Sequence, residues 1–209
     1  KARWSTVGGS QAEFSLILFV GLMIFNLFAD CINRAPVLVV ANTNYVKKVV
    51  FPLEILALVC VCAALFNMII SFFVWLVFYC VAIGVPSPSV LLFPMVVMPL
   101  LLLTTGCIWI LMSLGVYLKD VTQVVPIITS TMMFLSPIFY PLSALPQKYW
   151  FWLYLNPITF VVEQARAVLF WGKQPEYMQM LFYTLFSLGI AWLGFAWFQK
   201  TRKGFADVL

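Results

Sequence analysis

The chain has 209 residues and a net charge of +5; 64% of its residues are apolar and 9% are charged. A soluble domain carries about 25% charged residues. A mean hydropathy of +1.05 leaves more apolar surface than a chain of this length can bury in its own core. The composition therefore predicts an all-α polytopic membrane protein and excludes an ordinary soluble enzyme. The basic residues cluster at the ends of apolar runs, which suits membrane lipids and not nucleic acid.

Five apolar runs are long enough to cross a bilayer, because a spanning helix needs about 20 residues. The predicted spans cover about residues 13–32, 56–85, 90–118, 121–140 and 178–198. Pro86 and Pro88 separate the second span from the third, and Lys119 and Asp120 separate the third from the fourth. The basic KTRK sequence after the last span predicts a cytoplasmic C-terminus. With five spans, residue 1 then lies outside, and we expect a further span upstream.

The segment between the first two spans, residues 33–54, contains Lys47 and Lys48 within a short amphipathic pattern. Asn42, Thr43 and Asn44 precede this pattern and are residue types that cap helix N-termini. Two interpretations stay open from the residues alone. The segment is either a short helix on the cytoplasmic surface or a loop whose lysines meet lipid phosphates.

A second unusual segment, about residues 146–171, predicts two short helices on the outer side of the membrane. Asn156 and Pro157 end the first and begin the second, as cap and first-turn residue. Glu163 and Arg166 are three residues apart and can pair on one helix face. Each helix is too short to span, which favours interfacial or re-entrant helices. The segment also contains aromatic residues of the kind found at membrane interfaces, namely Trp150, Trp152 and Tyr154.

Residues that carry catalysis are scarce. The sequence has no histidine and no GxxxxGK[ST] phosphate loop, so it predicts no His-based catalytic site and no ATPase site. The five cysteines lack the spacing of metal ligands, and we interpret them as small apolar residues. No pair of mid-membrane carboxylates is evident, which argues against an ion-coupled carrier. We therefore predict no catalytic residue, no metal site and no cofactor on this chain.

Aromatic side chains are frequent in the first and fourth predicted spans. Rings that line a pore would suit sugars, whose apolar CH faces stack on them, whereas rings that face lipid or the protein interior would only pack. Both interpretations stay open. The candidate channel-lining residues are Phe19, Phe25, Phe28, Phe134, Phe139 and Tyr140.

The order of these features resembles the membrane subunit of ABC-2-type exporters, and within them the polysaccharide and O-antigen permeases. The resemblance covers nearly the whole chain. It rests on the stretches NTNYVKKVVFPLE, YLKDVTQVVPIITS and SPIFYPLSALPQKYWFWLYLNPIT, followed by a last span with a basic tail. None of these stretches is a catalytic motif, so the resemblance depends on their order and context.

The resemblance implies six spans, of which five lie in this chain, and a channel formed by two copies, lined by the first and fourth spans. It also implies two separate ATP-binding subunits, which hold ATP and magnesium and dock on a coupling helix at about residues 42–51. The implied coupling residues are Asn42, Asn44, Tyr45, Lys47 and Lys48. By the same resemblance, the paired outer helices correspond to a periplasmic gate. The implied gate residues are Trp150, Trp152, Tyr154, Asn156, Pro157, Glu163 and Arg166.

The implied function is export of a lipid-linked polysaccharide of the O-antigen type across the bacterial inner membrane, with ATP hydrolysed on the partner subunit. One alternative is an ABC-2 exporter of another substrate, such as teichoic acid, a capsule glycan or a drug. From other classes, a membrane-embedded enzyme acting on lipids or a membrane scaffold would also fit an apolar chain. An ATPase partner would separate the exporter from both.

Overall fold

The computed structural model describes residues 11–43, 52–140 and 156–208, together with Pro146, Lys148 and Leu153. Within these ranges every regular element is helical, which confirms the predicted all-α class. Short 3₁₀ turns join several of the helices, for example Pro88–Leu92. The α-helices in chain order are α1 (Gln11–Arg34), α2 (Ile55–Ala82), α3 (Phe93–Tyr117), α4 (Val121–Leu135), α5 (Pro157–Leu169), α6 (Tyr177–Thr201) and the single turn α7 (Phe205–Val208).

Four helical segments in the described ranges are long and apolar enough to cross a membrane. They correspond to four of the five predicted spans, and they are Gln11–Val37, Ile55–Ala82, Pro88–Tyr117 and Tyr177–Gly204. The first and third are more than half buried within the chain, whereas the second and fourth expose most of their apolar side chains. Exposed surface of this kind needs lipid or another apolar partner as its surroundings. The structure is therefore that of a multi-pass membrane protein.

The fourth predicted span, residues 121–140, is shorter than expected. Helix α4 has 15 residues and ends at Leu135, so it is about 22 Å long, against a hydrocarbon core of about 30 Å. It stops where it does because Ser136 precedes Pro137, and the residue before a proline disfavours helical geometry. Residues 136–140 are irregular. The count of five spans stays a prediction.

The described residues fall into two compact units, each built from three stretches of chain. The first comprises those within Lys1–Asn26, Asn67–Met98 and Ser130–Tyr177. The second comprises those within Leu27–Phe66, Pro99–Thr129 and Met178–Leu209.

Close helix packing in the second unit depends on glycine. A Cβ atom added at Gly194 on α6 would overlap the backbone carbonyl of Gly106 on α3. A Cβ atom at Gly106 would lie 2.6 Å from the carbonyl oxygen of Ile190. Because backbone atoms cannot swing aside as a side chain can, only glycine allows these two helices to approach so closely.

Candidate functional site

Helix α5 begins as the sequence predicted. The Asn156 side-chain oxygen accepts a hydrogen bond from the Ile158 N–H at 3.1 Å, and Pro157 occupies the first turn. The Asn156 amide nitrogen also donates to the Ser136 hydroxyl oxygen at 2.8 Å and to the Met132 carbonyl at 3.3 Å. One asparagine therefore satisfies backbone groups at the start of α5 and at the end of α4.

Arg166, near the end of α5, is fully buried. Its guanidinium donates to three backbone carbonyls of other segments: Ile17 on α1 at 3.2 Å, Pro137 at 2.6 Å and Ile138 at 2.8 Å. Pro137 and Ile138 lie in the irregular stretch after α4, where no helix supplies donors for their carbonyls. Arg166 therefore holds α5, α1 and the end of α4 together within the first unit.

The predicted pair of Glu163 and Arg166 is confirmed, with 3.0 Å between the carboxylate and the guanidinium. Burial raises the pKa of the Glu163 carboxyl, and the positive charge of Arg166 opposes this rise. Burial likewise lowers the pKa of Arg166, while Glu163 opposes the fall. An arginine stays charged in proteins, so the carboxylate and the three carbonyls together compensate a buried positive charge.

Room for this guanidinium comes from Gly21 on α1. A Cβ atom at Gly21 would lie 2.9 Å from Nη2 of Arg166 and 3.3 Å from a methyl carbon of Ile138. Sequence reasoning missed Gly21 and the three carbonyl acceptors. A glycine inside an apolar span signals close packing, but a carbonyl acceptor has no sequence signal because every residue carries one.

Two of the candidate channel rings form an exposed pair. The rings of Phe134 and Phe139 are stacked, with 6.3 Å between their centroids and 29° between their planes. Their exposed fractions are 67% and 39%. The Tyr140 hydroxyl lies 3.4 Å from the Phe134 carbonyl, next to this pair. The three rings thus lie together where α4 gives way to the irregular stretch.

The candidate rings on α1 lie in different surroundings. Phe25 and Phe28 are buried within the chain, with exposed fractions of 4% and 5%. Phe19 is half-buried and lines an apolar cleft of about 230 Å³ between α1 and α2, together with Trp75 and Phe78. In this conformation a substrate could touch Phe19 but not the two buried rings. A channel role for all six aromatic candidates stays a prediction.

Of the predicted coupling residues, Asn44, Tyr45, Lys47 and Lys48 lie outside the described residues. Asn42 ends a 3₁₀ turn, and its side-chain amide donates to the Leu38 carbonyl at 2.8 Å. The gate candidates Trp150, Trp152 and Tyr154 also lie outside the described residues.

Glu54 lies just before α2 and binds the C-terminal end of α6. Its carboxylate lies 3.1 Å from the Arg202 guanidinium and 3.2 Å from the Gln199 amide nitrogen. The Trp109 indole N–H donates to the Glu54 carbonyl at 3.2 Å. Phe205, three residues after Arg202, is fully buried and its ring contacts that of Phe198. The sequence predicted only a cytoplasmic C-terminus from this basic tail and missed its attachment within the second unit.

The cysteines form no disulfide, and Cys31 donates to the Cys60 carbonyl across 4.0 Å. In the part of the chain that the structure describes, no three His, Cys, Asp or Glu side chains come close enough to hold a metal ion.

Comparison with known proteins places these features in one family. The profile of the ABC-2 type transporter family matches residues 2–170. The chain is 25% identical over 197 residues to the O-antigen export system permease protein RfbA of Myxococcus xanthus, covering 93% of this chain and 76% of the relative. It is 27% identical over 199 residues to the RfbA permease of Klebsiella pneumoniae, covering 94% and 76%.

A relative named for a different glycan is similar over the same extent. The chain is 25% identical over 194 residues to the polysialic acid transport protein KpsM of Escherichia coli, covering 91% of this chain and 74% of the relative. The family profile matches well over half of the 209 residues, and the chain therefore belongs to the ABC-2 type transporter family of membrane proteins.

Proposed function

We propose that this chain is the membrane subunit of an ATP-driven exporter that moves a lipid-linked polysaccharide of the O-antigen type across the bacterial inner membrane. The observation that carries the proposal is similarity over more than nine-tenths of the chain to export permeases named for O-antigen and for polysialic acid. Because those names share polysaccharide as the transported class, we assign that class to this chain.

The proposed machine contains two copies of this chain and two ATP-binding subunits. The two copies form the channel, and the cytoplasmic segment at about residues 42–51 receives the motion of the ATP-binding subunits. ATP and magnesium bind on those subunits. The C-terminus lies in the cytoplasm, which suits the exposed lysines Lys200 and Lys203 that follow the last apolar stretch.

The geometry of α5 supports its role as the outer gate. Helix α5 is too short to span the membrane, and the buried Arg166 binds it to α1 and to the end of α4. The exposed rings of Phe134 and Phe139 lie at that same end of α4. A sugar chain that passes there can stack its CH faces on these rings, so that movement of α5 would change access to them.

The direct test is reconstitution with the ATP-binding subunit. The tagged chain is purified from its own membranes, the co-purifying ATPase is identified, and both are placed in proteoliposomes that contain the lipid-linked glycan. We expect ATP-dependent transfer of glycan across the bilayer, and none with an ATPase that cannot hydrolyse ATP. Absence of an ATPase partner, or ATP turnover that moves no glycan, would contradict the proposal.

The second candidate is export of a glycan other than O-antigen. The match to a polysialic acid transport protein favours it specifically. Competition in the same proteoliposomes, with neutral and acidic lipid-linked glycans offered together, separates the two candidates by which one is transported.

A further inference from the structure

Glu54 is the last residue of the NTNYVKKVVFPLE stretch and lies immediately before α2. The proposed coupling segment, about residues 42–51, therefore connects to α2 through a few residues that end at Glu54. The Ile55 N–H donates to the Pro52 carbonyl at 3.0 Å, which closes a single tight turn that contains Glu54. A displacement of Pro52 is therefore passed to Glu54 along a short, hydrogen-bonded backbone.

Both the side chain and the backbone of Glu54 are bound to other segments. The carboxylate lies 3.1 Å from the Arg202 guanidinium and accepts from the Gln199 amide nitrogen at 3.2 Å. The Trp109 indole N–H donates to the Glu54 backbone carbonyl at 3.2 Å. We call these four residues the Glu54 junction, and all of them belong to the second unit. The Glu54 junction connects the start of α2 with α3 and with the C-terminal end of α6.

Helix α3 and the end of α6 are also joined to each other without Glu54. The Tyr117 hydroxyl donates to the Thr201 carbonyl at 2.9 Å, and 3.0 Å separates the hydroxyl oxygens of Thr201 and Ser113. Gly204 leaves room for Tyr117, because a Cβ atom there would lie 2.7 Å from the tyrosine hydroxyl. Removing the Glu54 side chain therefore breaks the link from the start of α2 to α6 and leaves α3 attached to α6.

The ion pair of the Glu54 junction contributes little to folding stability. The exposed fractions of the Arg202 and Glu54 side chains are 42% and 24%, and ion pairs that water reaches are weak. Such a pair can be rearranged at a small cost in free energy, which suits a contact between parts that move. Arg166 differs, because it is fully buried and its loss would leave a buried carboxylate unpaired.

We propose that the Glu54 junction transmits displacement of the cytoplasmic segment at about residues 42–51 to the C-terminal end of α6. Glu54 is then a positioning residue in the coupling of ATP hydrolysis to export. When the ATP-binding subunit moves the segment, the turn at Pro52 shifts Glu54, and the carboxylate displaces Arg202 and Gln199 with it. The inference rests on the proposed function and extends it, because it gives the last helix a part in the coupling motion.

The test measures glycan transported per ATP hydrolysed in proteoliposomes that contain the ATP-binding subunit. The unchanged chain is compared with Glu54→Ala, Arg202→Ala and the double variant, and Lys203→Ala is the matched control because it removes the neighbouring exposed charge. We expect the first three variants to lower the ratio about fivefold, the low end for coupling between two sites. Their melting temperatures should stay within about 4 °C of the unchanged chain, and Lys203→Ala should keep the ratio.

The double variant separates one shared contact from two independent effects. If Glu54 and Arg202 act through their contact, removing both costs no more than removing either one, and the double variant matches the single variants. Additive losses, or an unchanged ratio in Glu54→Ala, would overturn the proposal. An equal loss in Lys203→Ala would also overturn it, because any charge on the tail would then serve.

A second measurement needs no glycan. The complex is assembled with an ATP-binding subunit that binds ATP without hydrolysing it, and hydrogen exchange is followed at the backbone amides of residues 199–204. We expect ATP to change the exchange rates there in the unchanged chain and not in Glu54→Ala.

The two measurements distinguish failure of this inference from failure of the proposed function. The same response to ATP in the unchanged chain and in Glu54→Ala would overturn the inference, whatever substrate is transported. A response that is lost in Glu54→Ala, in a complex that moves no glycan, would uphold the Glu54 junction and contradict the proposed substrate.

Discussion

Replacing Arg166 with alanine should destabilise the first unit more than any other removal of a single charge. The change removes hydrogen bonds to the Pro137 and Ile138 carbonyls and leaves the Glu163 carboxylate without its cation. Breaking a buried ion pair by removing one partner costs about 3–5 kcal/mol. The free energy of the hydrogen bonds to the carbonyls is included in this value, because the same guanidinium makes the ion pair and the hydrogen bonds.

This loss is measurable as a shift in the melting temperature of the purified protein. For a chain of this size, 1 kcal/mol corresponds to about 2–4 °C, so we expect Arg166→Ala to melt roughly 6–20 °C lower. Detergent-solubilised protein is heated, and the fraction that stays monodisperse is followed by fluorescence-detected chromatography. The control is Lys173→Ala, which removes an exposed positive charge close by in sequence.

A double variant separates the charge from the hydrogen bonds. If the unpaired carboxylate causes most of the loss, Glu163→Gln combined with Arg166→Ala should melt higher than Arg166→Ala alone. Arg166→Lys should recover part of the stability, since an ammonium keeps the charge but lacks the planar fork that reaches three carbonyls. Equal melting of Arg166→Ala and Lys173→Ala would refute the reasoning.

Three further predictions concern packing, coupling and the channel. Gly194→Ala should destabilise the chain by about 1–3 kcal/mol, because the added methyl meets the α3 backbone; thermal melting measures it. Charge reversal at Lys47 and Lys48 should leave insertion intact and uncouple ATP hydrolysis from export, which paired ATPase and export assays detect. Phe139→Ala and Tyr140→Ala should lower glycan export more than assembly, measured as export per assembled complex.

Each of these has a matched control. Gly189→Ala lies on the same helix with open space around it, so it should be neutral or stabilising by up to about 1 kcal/mol. A loss equal to that of Gly194→Ala would contradict the packing argument. Lys173→Glu controls for charge reversal, and unchanged export in the Lys47 and Lys48 variant would remove the coupling assignment. Phe182→Ala removes an exposed ring of α6; export as low as in Phe139→Ala would make both rings packing residues.

The predicted elements that proved correct depend on neighbours in sequence. Asn156 and Pro157 begin α5 because a cap and a first-turn proline act within three residues of each other. Glu163 and Arg166 pair because one helical turn brings positions three apart together. Four of the five long apolar runs became helices long enough to cross a membrane, because a chain in lipid must satisfy its backbone hydrogen bonds internally.

Predictions about which way a side chain faces were weaker. Phe25 and Phe28 were named with Phe19 as channel candidates, but the structure buries the first two and leaves Phe19 half-buried. An almost wholly apolar helix has no strong polar face from which to read its orientation.

By itself the sequence determined that the chain is helical and that it is a membrane protein. It also determined approximately where most of the helices begin and end, and it was enough to show the resemblance to the family. Those properties follow from composition and from spacing within single helices. The tertiary structure alone decided that Arg166 binds carbonyls of Ile17, Pro137 and Ile138, and that Glu54 binds Arg202. These partners are up to 149 residues apart, and backbone acceptors are the same at every position, so no local pattern could identify them.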